Sequence, residues 1–387
     1  MREGKDKDMR ITFLVGNGFD MRMGIASSYK TVEAHYVGLA RTDEAIKEFQ
    51  ESLKGNDKYW SNFELGIGKY TSHFDVEDQQ KFNACLEDFT TELGNFLQLE
   101  EKRVDVSLCE KDIKEEFVRS IKNYDGELAQ SYKDQLKNIL SSGDAVEFRF
   151  ISFNYTHLLD KCLELSFDEK TVVGSHVRSG TRYDHIVNNQ VLHIHGELPG
   201  PIITGVDNPY QIENEAWAKQ NRFLQRIAKP SINARYGALI DNAASNMIKQ
   251  SNIICLFGMS MGDTDKTWWK QIGQWLFSTD HRLVIFAHNS ELIGKTLTLP
   301  KRFSLEDESK DRFMDLAGIS NSDRPVIESR IFVVINSSLF NINLVDLTKK
   351  NRAVAEKERK TAVKEFTTEL EERQKAANLA SALSESL

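Results

Sequence analysis

Cysteine is scarce. Cys85, Cys109, Cys162 and Cys255 are the only four in 387 residues, and no two of them form a C-x-x-C pair. That scatter supports neither a disulfide framework nor a cysteine-built zinc site, and it suits a reducing, cytoplasmic setting. Proline is rare, at six, and no low-complexity tract or internal repeat occurs, which argues against a disordered or fibrous chain. No apolar run approaches the about 20 residues of a membrane span, so no membrane partner is expected. Residues Met1 to Asp8 are charged and lack the apolar stretch of a secretory signal, so none is expected. Basic charge is in deficit, with 50 Lys and Arg against 58 Asp and Glu and a net charge of −8. Nucleic acid is therefore an unlikely principal partner on electrostatic grounds.

What remains is an ordinary globular composition, 40% hydrophobic and 28% charged, long enough for two or three folded units. Met9–Val15 is β-rich and ends at Gly16, which predicts a first strand. From Ser28 to Leu140 apolar residues recur every three or four positions, as at Phe82, Cys85, Leu86, Phe89, Leu93 and Phe96, and predict a helical block. Strands are predicted again at Val146–Phe153, near Gln190–His195, at Asn252–Phe257, at Leu283–Ala287 and around Arg330–Ile335, with a shorter apolar run at Ile202–Thr204. Helices are expected between them, notably Asn242–Gln250 and Asp263–Phe277, the latter with Asp263 as N-cap. Such alternation predicts an α/β, Rossmann-like fold with a mostly parallel sheet covered on both faces. Residues 9–27 and 146–340 would form its nucleotide-binding unit, 28–145 a helical insertion and 345–387 a C-terminal helical extension. The tail carries a thin stripe of Val363, Phe366, Leu370 and Ala377, read as a surface helix.

Four places could carry chemistry. Gly16-Asn17-Gly18-Phe19-Asp20 follows the first strand directly, and its glycines would let amides approach a pyrophosphate, though Met21 replaces the third glycine of the dinucleotide fingerprint. Asn154 follows the second strand and can donate to or accept from ribose hydroxyls. In Val191-Leu-His193-Ile-His195-Gly196, a strand would place both histidines on one face. A metal pair, a single catalytic His195 and two packed histidines are all open there, but no further ligands are spaced to complete a metal site. Gly258-Met-Ser260-Met-Gly262 matches the G-x-S-x-G nucleophile elbow. A hydrolase triad needs an acid and then a histidine after that serine. Only His281 and His288 follow it, so Ser260 is better read as a hydroxyl for ribose or phosphate. Asn289, after the strand Leu283–Ala287, could reach an adenosine ribose. In Trp60-Ser-Asn62-Phe-Glu64 the aromatics read as helix packing, with Glu64 open. Trp268, Trp269 and Trp275 read as core.

The ordered set Gly-Asn-Gly-Phe-Asp at 16–20, Ser-Tyr at 28–29, Trp60 with Glu64, Phe-Asn-Tyr-Thr at 153–156, His-Ile-His-Gly at 193–196 and Gly-Met-Ser-Met-Gly-Asp-Thr-Asp at 258–265 resembles the AbiH family, bacterial proteins associated with abortive infection by phages. The same skeleton looks like a distant sirtuin. That resemblance implies an NAD site, with Gly16, Asn17, Gly18 and Phe19 at the pyrophosphate and Asn154 at the nicotinamide ribose. It also implies His195 as base, and Gly258, Ser260 and Asn289 at the adenosine half. Asp20 would stabilise positive charge or hold the carboxamide. The chain lacks a sirtuin's four-cysteine zinc module and its Pro-Asp-Phe-Arg loop, so the resemblance implies hydrolysis of NAD to nicotinamide and ADP-ribose without a metal, rather than deacylation. A non-catalytic nucleotide sensor and a metal-dependent hydrolase or nuclease using His193 and His195 stand as alternatives. A phage-derived trigger and a homo-oligomer are left open.

Overall fold

The computed structural model describes residues 8–54, 63–168, 170–236 and 238–361. Trp60, Asn62 and the tail stripe from Val363 onward lie outside the described residues. Seven strands form one sheet in the order β3-β4-β2-β1-β5-β6-β7. They are β1 (Met9–Val15), β2 (Val146–Ser152), β3 (Val172–Arg178), β4 (Thr181–His193), β5 (Ile253–Phe257), β6 (Arg282–Ala287) and β7 (Ile331–Ile335). Every pairing is parallel except β3 with β4.

The central strands read as nearly continuous apolar runs because both faces are covered. Alternate side chains serve two cores. Ile11, Phe13, Val15, Phe148, Phe150 and Cys255 enter one, with α6 (Glu110–Lys122) and α8 (Leu158–Ser166) packed on them. Leu14, Ile151, Ile254, Leu256 and Leu283 enter the other, beneath α13 (Lys266–Trp275) and α14 (Leu299–Ala317). Trp268, Trp269 and Trp275 belong to that second core, as expected, and the indole of Trp269 donates to Gly262 O at 2.9 Å.

A third core lies off the sheet. Helices α2 (Tyr29–Val37), α3 (Glu44–Leu53), α4 (Phe63–Tyr70) and α5 (Gln79–Glu101) bury Tyr36, Phe49, Phe63 and Phe89 together with Trp217 and Phe223 from the segment after β4. Among the described residues from Ser28 to Leu140 only helices, turns and loops occur. Their second half, α6 and α7 (Gln130–Leu140), packs directly on the sheet.

Three expectations change. The strand expected near Gln190–His195 is the end of β4, a 13-residue strand that begins at Thr181. Its first half pairs with β3 through a two-residue turn at Ser179-Gly180, both with positive φ (49° and 81°), as type I′ hairpins require. Ile202–Thr204 is not a strand and contributes a single bridge, Gly196 to Ile202. Asp263 does not cap the following helix. It opens a 3-10 turn, Asp263–Asp265, and pairs with Lys266 at 2.7 Å.

After β1 the chain builds β2 and β4 on one side, then returns to place β5 against the other side of β1. That reversal opens a crevice at the carboxyl ends of β1 and β5, where open α/β sheets take their ligands.

Candidate functional site

A cavity of about 1040 Å³ occupies the crevice. Its floor is made by the residues that follow the parallel strands: Gly16 and Gly18 after β1, Asn154 after β2, His195 after β4, and Gly258 and Ser260 after β5. Leu93 and Leu97 of α5 and Tyr29 of α2 form a wall.

The glycines do something other than expected. Gly16 N donates to Phe257 O and Gly18 N to Gly258 O, each at 2.9 Å, and Phe19 N donates to Gly16 O at 2.9 Å. A Cβ on Gly18 would lie 2.7 Å from Gly258 Cα, and one on Gly258 would lie 2.5 Å from Phe19 N. The two loops interlock backbone to backbone, which only glycine permits. Because these three amides are spent inside the fold, they do not form the expected phosphate cradle. Asn17 is likewise tied down, its Nδ2 donating to Ser27 O at 2.7 Å and its Oδ1 accepting from Ser27 Oγ.

Phe19 does not line the cavity. It is fully buried and packs edge-on against Phe117 and Phe340, so it is a core residue. Asn289 also stands apart from the cavity wall; it caps a short turn through Glu291 N and its own amide meets Asn336. Its neighbour His288 lines the cavity instead. Ser260 lines the cavity and is exposed, but the left-handed φ of 50° falls on Met261 and His281 is bound to Trp275 O. This turn is not a nucleophile elbow.

Asp20, Asn154 and Thr156 form a buried unit. Asp20 accepts from Asn154 Nδ2 at 3.0 Å and from Thr156 Oγ1 at 2.7 Å. No cation reaches it by an ion pair among the described residues. Burial therefore dominates and pushes its carboxyl up to about 7, against the lowering by those two hydrogen bonds. Asn154 Nδ2 also donates to Gly16 O, and its Oδ1 is buried without a partner among the described residues.

His195 sits at the centre of a second group, which sequence reading found only in part. Its Nε2 faces Asp265 Oδ1 at 3.2 Å, which backs the ring with a carboxylate. Asp265 accepts from Lys229 Nζ at 3.0 Å, and the same ammonium donates to Glu64 Oε2 at 2.7 Å. Thr264 Oγ1 adds a bond to that Glu64 oxygen at 2.6 Å. Lys229 and His195 together hold the Asp265 carboxyl below its ordinary range in spite of its burial. The pull of Lys229 also explains why Asp265, at the N-cap position of α13, makes no cap bond. The sequence leaves Glu64 open and shows Asp265 only as the last residue of the 258–265 run. Lys229 carries no sequence signal: it lies in an ordinary polar stretch and is brought in by the turn between α10 (Asn221–Ile227) and α11 (Lys229–Tyr236).

The structure separates His193 from His195. The strand ends at His193, so the expected common face is lost. His195 lines the cavity and packs edge-on against Phe153 at 5.3 Å, whereas His193 bonds Asn154 O and Asp160. The site therefore offers a cavity with an unmet buried acceptor, a carboxyl that titrates near neutrality and a carboxylate-backed histidine. That is the equipment of proton transfer beside a bound polar ligand.

No curated protein matches the chain significantly. The family model for bacteriophage abortive infection AbiH matches residues 12–287, from β1 to the end of β6 and across every element of the cavity floor named above. That is well over half of the sequence, so the chain belongs to the AbiH family of bacteriophage abortive infection proteins and has the abortive-infection role this membership implies.

Proposed function

We propose that the cavity binds NAD and hydrolyses it to nicotinamide and ADP-ribose. The observation that carries this reading is the unmet buried Oδ1 of Asn154, after β2, beside the carboxylate-backed His195 that follows the adjacent strand β4. A buried acceptor without a donor is costly, of order 1–3 kcal/mol, and a ribose hydroxyl would relieve it. The cavity is at the upper end of small-ligand pockets and has room for a dinucleotide. With the glycine amides spent, the cationic side chains on its wall, Arg22, Lys30 and Arg312, are the groups available to a pyrophosphate.

The chemistry follows from the residues. The C1′–N bond breaks, and its electron pair leaves with nicotinamide. Positive charge develops on the ribose, and ionised Asp20 would stabilise it. Asn154 fixes the ribose hydroxyls, and water attacks C1′ while passing its proton to His195. Lys229 is shared between Glu64 and Asp265, the carboxylate beside His195, so a proton taken up by His195 restores neutrality in the buried cluster.

The test is to incubate purified protein with NAD, in the presence of a lysate from phage-infected cells as a source of trigger, and to separate the products. Nicotinamide and ADP-ribose should form with wild type and fall by about 10²–10⁴-fold in His195→Ala. Equal turnover by His195→Ala and Asn154→Ala would remove this assignment. Saturable NAD binding without turnover would instead make the site a sensor.

A further inference from the structure

Outside the cavity, two histidines and two carboxylates converge beneath the turn that carries His195. His193 Nε2 lies 3.0 Å from Asp160 Oδ2 and 3.9 Å from Glu197 Oε2. His157 Nδ1 lies 3.8 Å from the same Glu197 oxygen. One ligand atom from each of His157, His193 and Glu197 falls within 4.8 Å of the others. For tetrahedral zinc with bonds of about 2.0–2.1 Å, neighbouring ligand atoms stand about 3.3–3.4 Å apart. The separations of Glu197 from His193 and His157, 3.9 and 3.8 Å, stand within about 0.6 Å of that value.

The second, independent observation is the ring tautomers. His193 Nδ1 faces Asn154 O at 3.0 Å, and His157 Nε2 faces Leu198 O at 2.6 Å. A backbone carbonyl only accepts, so each of those nitrogens carries a proton and donates. The other nitrogen of each ring, His193 Nε2 and His157 Nδ1, is turned toward the carboxylates, where a cation would take the place of the proton that His193 shares with Asp160. Metal-bound histidines are held in this way, with the remote N–H on a backbone carbonyl.

We infer that His157, His193 and Glu197 form a binding site for a divalent zinc-like cation, with Asp160 beside His193 as an outer carboxylate. Two imidazoles and one carboxylate select a first-row ion such as Zn²⁺ over Mg²⁺, which demands oxygen ligands and octahedral geometry. The ion would join the end of β4, the start of α8 and the turn at 194–198. It would thereby brace the backbone that positions His195 and, through His193, the carbonyl of Asn154. Its role is structural and it enters no step of NAD cleavage, so the two readings stand or fall separately.

The experiment is a ZnCl₂ titration of the chelator-stripped full chain by calorimetry, with MgCl₂ as control and metal content by mass spectrometry. One Zn²⁺ per chain is expected, with no Mg²⁺ binding. Glu197 is exposed and His157 half-buried, so Glu197→Gln and His157→Ala should fold, as circular dichroism would verify. Each should weaken Zn²⁺ at least tenfold. His176 and His185 lie 3.1 Å apart on the β3–β4 hairpin, and His176→Gln should leave the stoichiometry at one. Absence of Zn²⁺ binding by wild type, or equal affinity in Glu197→Gln and His157→Ala, would overturn the site. Loss of the ion in His176→Gln alone would place it on the hairpin and overturn it too.

Discussion

Asp20→Asn should stabilise the protein, and increasingly so as pH rises. In the folded protein the carboxyl titrates near 7, against 3.8 for the ordinary side chain. Burial is the main cause; Glu101 adds to it, while Thr156, Asn154 and His193 oppose it. Below about pH 4 folded and unfolded chains both hold this proton, so it contributes no pH dependence. Between about 4 and 7 the unfolded chain releases the proton and the folded chain keeps it, and stability falls by about 1.4 kcal/mol per pH unit. Above 7 both are ionised and the full penalty stands, about 4 kcal/mol as an upper bound. Asparagine fills the same space without the charge. Urea unfolding of both proteins at pH 5, 6, 7 and 8 isolates Asp20, since every other titration cancels in the difference. The advantage of Asp20→Asn should grow by about 2–3 kcal/mol over that range. A difference that is flat, or that shrinks with pH, would refute the claim that Asp20 is buried without a compensating cation.

Other perturbations test other parts of the structure. Lys229→Met removes the cation shared by Glu64 and Asp265 and leaves two buried carboxylates unpaired, so unfolding free energy should drop by about 3–5 kcal/mol. Adding Glu64→Gln to that variant should recover part of the loss in the same assay. Gly258→Ala forces a Cβ onto Phe19 N at a left-handed φ of 66° and should cost about 2–4 kcal/mol, read as a lowered urea midpoint. Phe89 is fully buried and stacked on Phe63 at 4.0 Å, so Phe89→Ala should cost about 3–5 kcal/mol by the same measurement.

Elements with strong local patterns were legible in the sequence. Five of the seven strands are short apolar runs with few polar residues, which is how parallel strands buried on both faces must read. The β3–β4 hairpin was missed because it is half exposed and polar, with residues such as Arg182, Asp184 and Asn188; only Ser179-Gly180 betrayed it, as a two-residue turn. At the site, the residues at strand ends could be anticipated because chain topology alone places them. Asp20, Asn154 and His195 meet the cavity for that reason. The role of the glycines could not be anticipated, since the sequence does not say whether a glycine turns its backbone toward a ligand or toward another loop. Nor could Lys229: its partner Glu64 is 165 positions away, and a pairing at that distance exists only once the helical segments have packed. Phe19 was assigned to the ligand by its place in a motif, whereas its hydrophobic ring is claimed by the core.

The most direct test of the account is the NAD content of phage-infected cells carrying the wild-type protein or His195→Ala. The account predicts that NAD falls and nicotinamide and ADP-ribose rise after infection with wild type, and that His195→Ala abolishes both the fall and the protection. Protection by the wild-type protein with NAD unchanged would contradict it.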